Sequence, residues 1–343
     1  MTTLFLEPLD VLYLRGNKHF ADAGAHGEAL MPPWPSLAAG AIRSRLMADG
    51  HALERLADFR LTDFGLGQTT ADGRVEALLP LPADVMVTNE ALDDARYATP
   101  TVLPAGVASS HALPQLPVFC LDKPVKPIGN LWLHAAGITA WQAGAPILAD
   151  HLLRSNQLWQ IDARLGIALD AQKRSAADSK IYTTETVAMR PCVGFVAAYE
   201  GAPALAQGCL VRLGGDGRGA VVRTPTFTFP QPDWDRIARE RRFRLLLATP
   251  GLFGDGWKPD GIAATLVAAS VGRAGTISGW DLLTNLPKAA QRVAPAGSVY
   301  WYDKLADLAA LRALIDNGLP QDDAARHAEG FNRCLIAPWA EEN

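Results

Sequence analysis

The sequence predicts an α+β protein with antiparallel sheets covered on one face. Three observations carry that reading. Short strand-like runs are spread along the whole chain, among them "LFLEPLDVLYLR", "VGFVAAYE", "FRLLLATPG" and "SVYWYD". Helical patterns are few, and they do not alternate with strands as regular βαβ repeats. The stretch "VRLGGDGRGA" at 211–220 packs four glycines into six positions between two strand-like flanks, which reads as strand, turn, strand with Asp-Gly turn chemistry.

In chain order, the first strand carries Pro8 at a bulge or an edge. A polar loop, "GNKHFADAGAHGEA", leads to a helix capped at Pro35-Ser36, with Leu37, Ala41, Ile42 and Leu46 on one face and Gly50 as its stop. Residues 72–135, rich in proline and short apolar runs, read as an irregular insertion with small hairpins. "LGIALD" at 165–170 and "IYTTETVAM" at 181–189 read as strands flanking a polar loop, and "VGFVAAYE" at 193–200 follows. "RTPTFTFPQPD" at 223–233 is the best linker. Beyond it come a charged helix in "DWDRIARERR", strands in "FRLLLATPG", "ATLVAASVGR" and "SVYWYD", and a helix from Asp303 to Asn317-Gly318. That helix places Leu305, Leu308, Leu311 and Ile315 near one face.

A chain of 343 residues defaults to two domains. We divide it at 1–224 and 225–343, the first half carrying the insertion. The net charge of −4 excludes a generally basic polyanion binder, so any nucleic-acid surface is a local patch. Cys120, Cys192, Cys209 and Cys334 are far apart without a C-x-x-C, which fits reduced thiols. With neither a signal peptide nor a membrane-length apolar run, a soluble cytoplasmic protein is expected. The glycine stretch is no dinucleotide fingerprint, because position 220 is alanine and no helix follows. It lacks the Lys-Ser/Thr of a P-loop and the paired carboxylates of a two-metal palm. No histidine spacing supports a metal, and no cofactor is expected.

These marks coincide with one family. "FLEPLDVLYLRGNKHF", "PSLAAGAIRSRL", "RLGIALD" followed by "IYTTETVAM", "RLGGDGRGA" and "SGWDLLTNLPKAAQRVAPAGSVYWY" resemble the RAMP superfamily of CRISPR proteins. More narrowly, the chain is similar to the subunit of the type III-B (Cmr) effector complex that caps the 5′ tag of the guide RNA (crRNA). The last block is the most specific, whereas the Gly40–Arg43 motif is shared across the superfamily. The resemblance implies two ferredoxin-like (RRM-like) domains and binding of the crRNA 5′ tag. It also implies docking against the large cyclase-bearing subunit and a backbone RAMP subunit, with no RNA cleavage by this subunit. RAMP proteins often finish with a glycine-rich loop, but "GFNRC" at 330–334 holds one glycine, which argues against a backbone contact to RNA there.

Tag recognition needs cations for phosphates and flat groups for splayed bases. Arg15, Lys18 and His19 lie together after the first strand and lead the candidates. Arg43 on the first helix follows, with a salt bridge or a snorkelling side chain as its alternative. Lys173, Arg174 and Lys180 occupy the loop between two strands. Gly215 and Arg218 sit in the glycine hairpin, where missing side chains let a backbone come close. Arg273, Lys288 and Arg292 lie in and beside the most family-specific block. Ordinary solvated surface charge is the alternative for each of these basic residues. The dense run Arg236, Arg239, Arg241, Arg242 and Arg244 reads instead as self-paired charges on a solvated helix face. The nine tryptophans read mostly as core. Two further functions stay open. One is a metal-independent ribonuclease using His19 with Lys18 or Lys180, and the other is a protein scaffold without RNA contact.

Overall fold

The computed structural model describes residues 1–16, 26–107, 112–169, 176–227, 230–281 and 286–339. Two main sheets organise them. The larger has eight strands, in the order Leu152–Arg154, Leu131–Leu133, Val75–Pro80, Arg60–Thr69, Val193–Glu200, Thr2–Pro8, Gly219–Arg223 and Leu210–Arg212. Each neighbouring pair is antiparallel. Thr2–Pro8 lies inside the sheet because Leu4, Phe5 and Leu6 are all buried, which needs cover on both faces. The helix Ser36–Ala48 shares a core with Leu4 and Leu6 through Ala38, Ile42 and Leu46. Phe5 faces the other way, against Val75 and Val196.

The smaller main sheet has the order Thr265–Ser270, Val299–Asp303, Phe243–Leu247, Cys334–Pro338, again antiparallel. Its helices, Leu308–Asn317 and Ala324–Ala328, lie between the last two strands in sequence. Leu311 packs with Phe243, Tyr300 and Ile336 on one face. The opposite face, with Leu246, Trp301 and Ala337, shares a core with Leu79, Leu131 and Trp141 from the chain's first half. Apolar packing therefore crosses the expected boundary at 224/225.

If the four principal strands of each sheet are numbered by sequence, both run 4-1-3-2. In the first sheet these are Thr2–Pro8, Arg60–Thr69, Val193–Glu200 and Gly219–Arg223; in the second, Phe243–Leu247, Thr265–Ser270, Val299–Asp303 and Cys334–Pro338. The first sheet keeps its helix between strands one and two, and the second keeps its helices between strands three and four.

Several expectations are corrected. Residues 72–135 do form small hairpins, Val85–Val87 with Ala95–Tyr97 and Thr99–Val102 with Gln115–Val118. However, Val75–Pro80 and Leu131–Leu133 extend the main sheet, so the insertion is anchored rather than irregular throughout. The expected loop at 170–180 is shorter, because the flanking strands are Trp159–Leu169 and Ala176–Met189 and Lys180 falls within the second. The ladder runs in register from Trp159 with Met189 to Ile167 with Ile181, and one further pair, Leu169 with Ala176, follows an irregularity. Ser36 opens its helix without a side-chain cap bond from Pro35. The last long helix starts at Leu308, not Asp303: Asp307 is its N-cap, while Asp303 ends a strand and pairs with Arg242. The arginine run is not one helix face. The helix is Trp234–Glu240, Arg236 pairs with Glu240 there, and Arg244 is buried on the next strand. Among the described residues, no helix is long and apolar enough to cross a membrane.

Candidate nucleic-acid interface

Three segments meet just after the first strand. Leu12 bridges Val187 at the foot of the Trp159–Leu169/Ala176–Met189 hairpin, Tyr13 bridges Gly215, and Arg15 bridges Ala29. The glycine stretch forms the expected hairpin, Leu210–Arg212 against Gly219–Arg223. Its tip is an Asp216-Gly217 turn with φ of 55° and 62°, closed by the Arg218 N–H donating to the Gly215 carbonyl at 3.4 Å. Gly214 has φ +82°, and a Cβ there would stand 2.7 Å from the Tyr13 carbonyl oxygen. The Gly215 N–H donates to that same oxygen at 2.9 Å. The bare backbone at 214 and 215 thus admits the chain's own Tyr13, while nothing stands within 4 Å of a Cβ built at Gly217.

Arg218 pairs with Asp10 at 2.5 Å, and its guanidinium lies 5.3 Å from the Tyr13 ring centroid. Arg164 was missed by the sequence reasoning. It pairs with Asp162 at 3.0 Å and is held above its ordinary pKa first by that hydrogen bond, with Tyr13 and Asp10 adding to it. Alternation in "QIDARLGIAL" carried the signal: Asp162 and Arg164 face one way, Ile161, Leu165 and Ile167 the other. Arg15 is exposed, two residues beyond Tyr13 on the segment that bridges Gly215. The Tyr13 bridge thus brings the segment that carries Arg15 to the hairpin that holds Gly215 and Arg218, and Arg164 joins Arg218 around Tyr13 and Asp10.

A second set sits where the two halves of the chain meet. Arg43 is half-buried, 4.6 Å from the Phe59 ring centroid. Burial lowers its pKa, and Glu329 opposes that shift. Lys288 pairs with Glu329, whose other oxygen accepts from the buried Arg326 at 3.1 Å. The Lys288 ammonium is thus already engaged within the protein. Arg273 and Arg292 are exposed, flanking and within the small ladder Gly275–Ile277/Gln291–Val293. Lys18, His19, Lys173 and Arg174 lie outside the described residues, and of Lys180 only the backbone is described.

The segment 330–334 is locked inside the protein. Phe331, Asn332 and Arg333 are buried. The Asn332 side chain accepts from the Leu252 N–H at 2.6 Å and donates to the Leu252 carbonyl at 3.0 Å. Arg333 donates to the Leu61 carbonyl at 2.9 Å, across to the first sheet. These bonds occupy the segment with the chain's own partners.

Comparison with known proteins fits this architecture. The family model of the CRISPR-associated protein (Cas_Cmr3) matches residues 4–339. A match over nearly the whole chain makes this a CRISPR-associated RAMP-type subunit. In particular, the chain belongs to the Cas_Cmr3 family, in agreement with the resemblance read from its motifs. No curated protein matches. The chain is similar in fold to one in a cryo-EM structure of the type III-B Cmr-beta complex bound to cognate target RNA and AMPPnP. The TM-score there is 0.55 at 14% identity, covering 98% of this chain and 99% of the other. A chain from Cmr-beta bound to cognate target RNA gives 0.54 at 15% identity, covering 97% and 96%.

Proposed function

We propose that this protein is a non-catalytic RNA-binding subunit of a type III-B effector complex. In this reading it caps the 5′ tag of crRNA and joins the large cyclase-bearing subunit to the RAMP backbone, in antiviral defence. The observation that carries it is the meeting of three arginine-bearing segments, that of Arg15 after the first strand, the glycine hairpin with Arg218 and the long hairpin with Arg164. Membership of the Cas_Cmr3 family supports the type III-B assignment, as does the likeness to chains of RNA-bound Cmr-beta complexes. The 4-1-3-2 order of both sheets supports two ferredoxin-like domains, each lacking the helix that the other keeps.

The test is binding of a fluorescent RNA bearing the cognate tag, against a scrambled tag, over a salt series. Tag-selective affinity that falls steeply with salt is expected, because phosphate contacts release counterions. Arg15→Ala combined with Arg164→Ala should weaken binding and flatten the salt dependence. Equal affinity for both RNAs would sink the tag reading. Gels of the same samples report cleavage: RNA shortening abolished by His19→Ala would favour the ribonuclease instead.

One observation favours the scaffold role alongside. The edge strand Trp159–Leu169 exposes Ile161, Leu165 and Ile167 along one face, the kind of row that soluble proteins keep covered.

A further inference from the structure

The helix Ala135–Ala143 ties the two halves of the chain together. The Trp141 indole N–H donates to Asp84, the Trp141 carbonyl accepts from Arg244 at 2.7 Å, and the Gln142 side chain donates to the Ile336 carbonyl at 3.4 Å. The start of this helix is capped by an imidazole. The usual caps are the side-chain oxygens of serine, threonine, aspartate and asparagine, which accept a main-chain N–H through neutral pH and well into the acid range. Here His134 Nδ1 accepts the Ala136 N–H at 3.2 Å, and Nε2 meets the Asp150 carbonyl oxygen at 2.5 Å. A ring nitrogen that meets a carbonyl oxygen must donate, so the proton sits on Nε2 and Nδ1 is the acceptor. Only the neutral ring serves both bonds. An imidazolium has two donors and no acceptor, and it would set one N–H against another at the cap.

The surroundings also disfavour a cation there. A helix N-terminus carries partial positive charge, and this helix has no acidic residue in its first turn. His151 stands perpendicular to His134 with ring centroids 6.0 Å apart, and its own Nδ1 accepts the Leu148 N–H at 3.2 Å. The Asp150 carboxylate lies 4.0 Å from His151 Nε2, but it is 83% exposed and screened by solvent. On the adjoining strand Leu152–Arg154, Arg154 is turned to Glu90 at 2.6 Å. Strand Leu131–Leu133 brings no titratable group. On Val75–Pro80, Ala77 and Leu79 share the helix's core, and Glu76 alternates away from them. Cys334 belongs to the core on the other face of the second sheet. Arg236 and the Asp84–Arg244 pair meet the helix at its far end. The helix start has little room to adjust: the His134 N–H donates to the His151 carbonyl at 3.3 Å, and a Cβ at Gly137 would stand 2.8 Å from that oxygen.

We infer that His134 is a proton-sensitive latch: neutral, it fastens the start of the helix Ala135–Ala143 to the Asp150–His151 turn, and on protonation it lets that start go. Histidine is the side chain whose charge ordinarily changes between about pH 5 and 8, so the latch operates on mild acidification. The stabilisation it gives is present while the ring is neutral and is lost as the pH falls. The inference is independent of the proposed RNA contacts.

Hydrogen exchange of the full chain, followed by mass spectrometry over residues 134–144 at about pH 7.5 and about pH 5.5, tests it. Protection is taken relative to the intrinsic exchange rate at each pH. In the wild-type protein it should drop about fivefold on acidification, the equivalent of one lost cap. His134→Asn supplies an oxygen acceptor that does not titrate, so its protection should hold at both pH values. His134→Ala has no acceptor and should be poorly protected at both. The same pH response in the wild type and His134→Asn would overturn the inference, as would full protection in His134→Ala. A second reading needs no variant. The nitrogen-15 spectrum of histidine-labelled wild-type protein near neutral pH should show His134 protonated on Nε2, and a proton on Nδ1 would overturn the inference by itself.

Discussion

At the scale of single residues, the buried ion pair between Asp84 and Arg244 is the clearest structural commitment. Asp84 is fully buried and Arg244 is 6% exposed. They meet at 2.7 Å, and the Trp141 indole N–H donates to the same carboxylate. Asp84 comes from the insertion and Arg244 from the second sheet, so the pair ties the two together. Removing one partner leaves the other charge buried and uncompensated. Asp84→Ala should therefore lower unfolding free energy by about 3–5 kcal/mol, read from urea denaturation at pH 7. A loss below about 1 kcal/mol would show that Arg244 finds water or another acceptor. The residue types in "RERRFR" were plain in the sequence, but their fates were not. Period and composition place Arg236 and Arg244 alike; only the chain's return at Asp84 makes one a surface charge and the other a core cation.

At the scale of elements, capping separates two helices that look equally punctuated. The Asp307 carboxylate accepts from the Ala309 and Ala310 N–H groups at 2.8 and 3.0 Å. Ser36, expected as part of a cap, is instead the first helical residue. Asp307→Ala should cost about 1 kcal/mol, and Ser36→Ala should fall within roughly 0.5 kcal/mol of neutral. Thermal unfolding of the two variants side by side checks this, and equal losses would contradict the assignment. The glycine hairpin shows what a local pattern does specify. Asp216-Gly217 names the turn because few residues tolerate positive φ, and the turn forms where the pattern puts it. Why glycine also stands at 214 was hidden, since the answer is the carbonyl of Tyr13, some two hundred residues away in sequence.

At the scale of the whole molecule, the joint between the two main sheets carries its own titratable group. Asp63, on the first sheet, is raised from the ordinary 3.8 to about 6 by burial, against the pull of Arg333. Arg333 reaches over from the second half to the Leu61 carbonyl. Because the folded state holds this proton more tightly than the unfolded chain, the group's contribution to stability falls as pH rises from 3.8 to about 6. Wild-type protein should therefore lose stability over that window relative to Asp63→Asn, which cannot ionise. Parallel denaturation curves across the window test it, and identical slopes for the two proteins would mean that Asp63 titrates normally in the fold.

The sequence by itself determined the α+β class, most of the strands, the glycine turn and the family. Each rests on information local to a few residues: alternation, turn chemistry and short motif blocks. It also marked the segments that carry Arg15 and Arg218. Only the tertiary structure decided that Lys288 is held by Glu329, that Arg164 joins Arg218, and that 330–334 is an internal lock. The physical reason is common to all three. A side chain's role depends on what it meets in the fold, whether a carboxylate, a main-chain carbonyl or another cation's surroundings, and which segments meet is set by pairing and packing between stretches far apart in the chain.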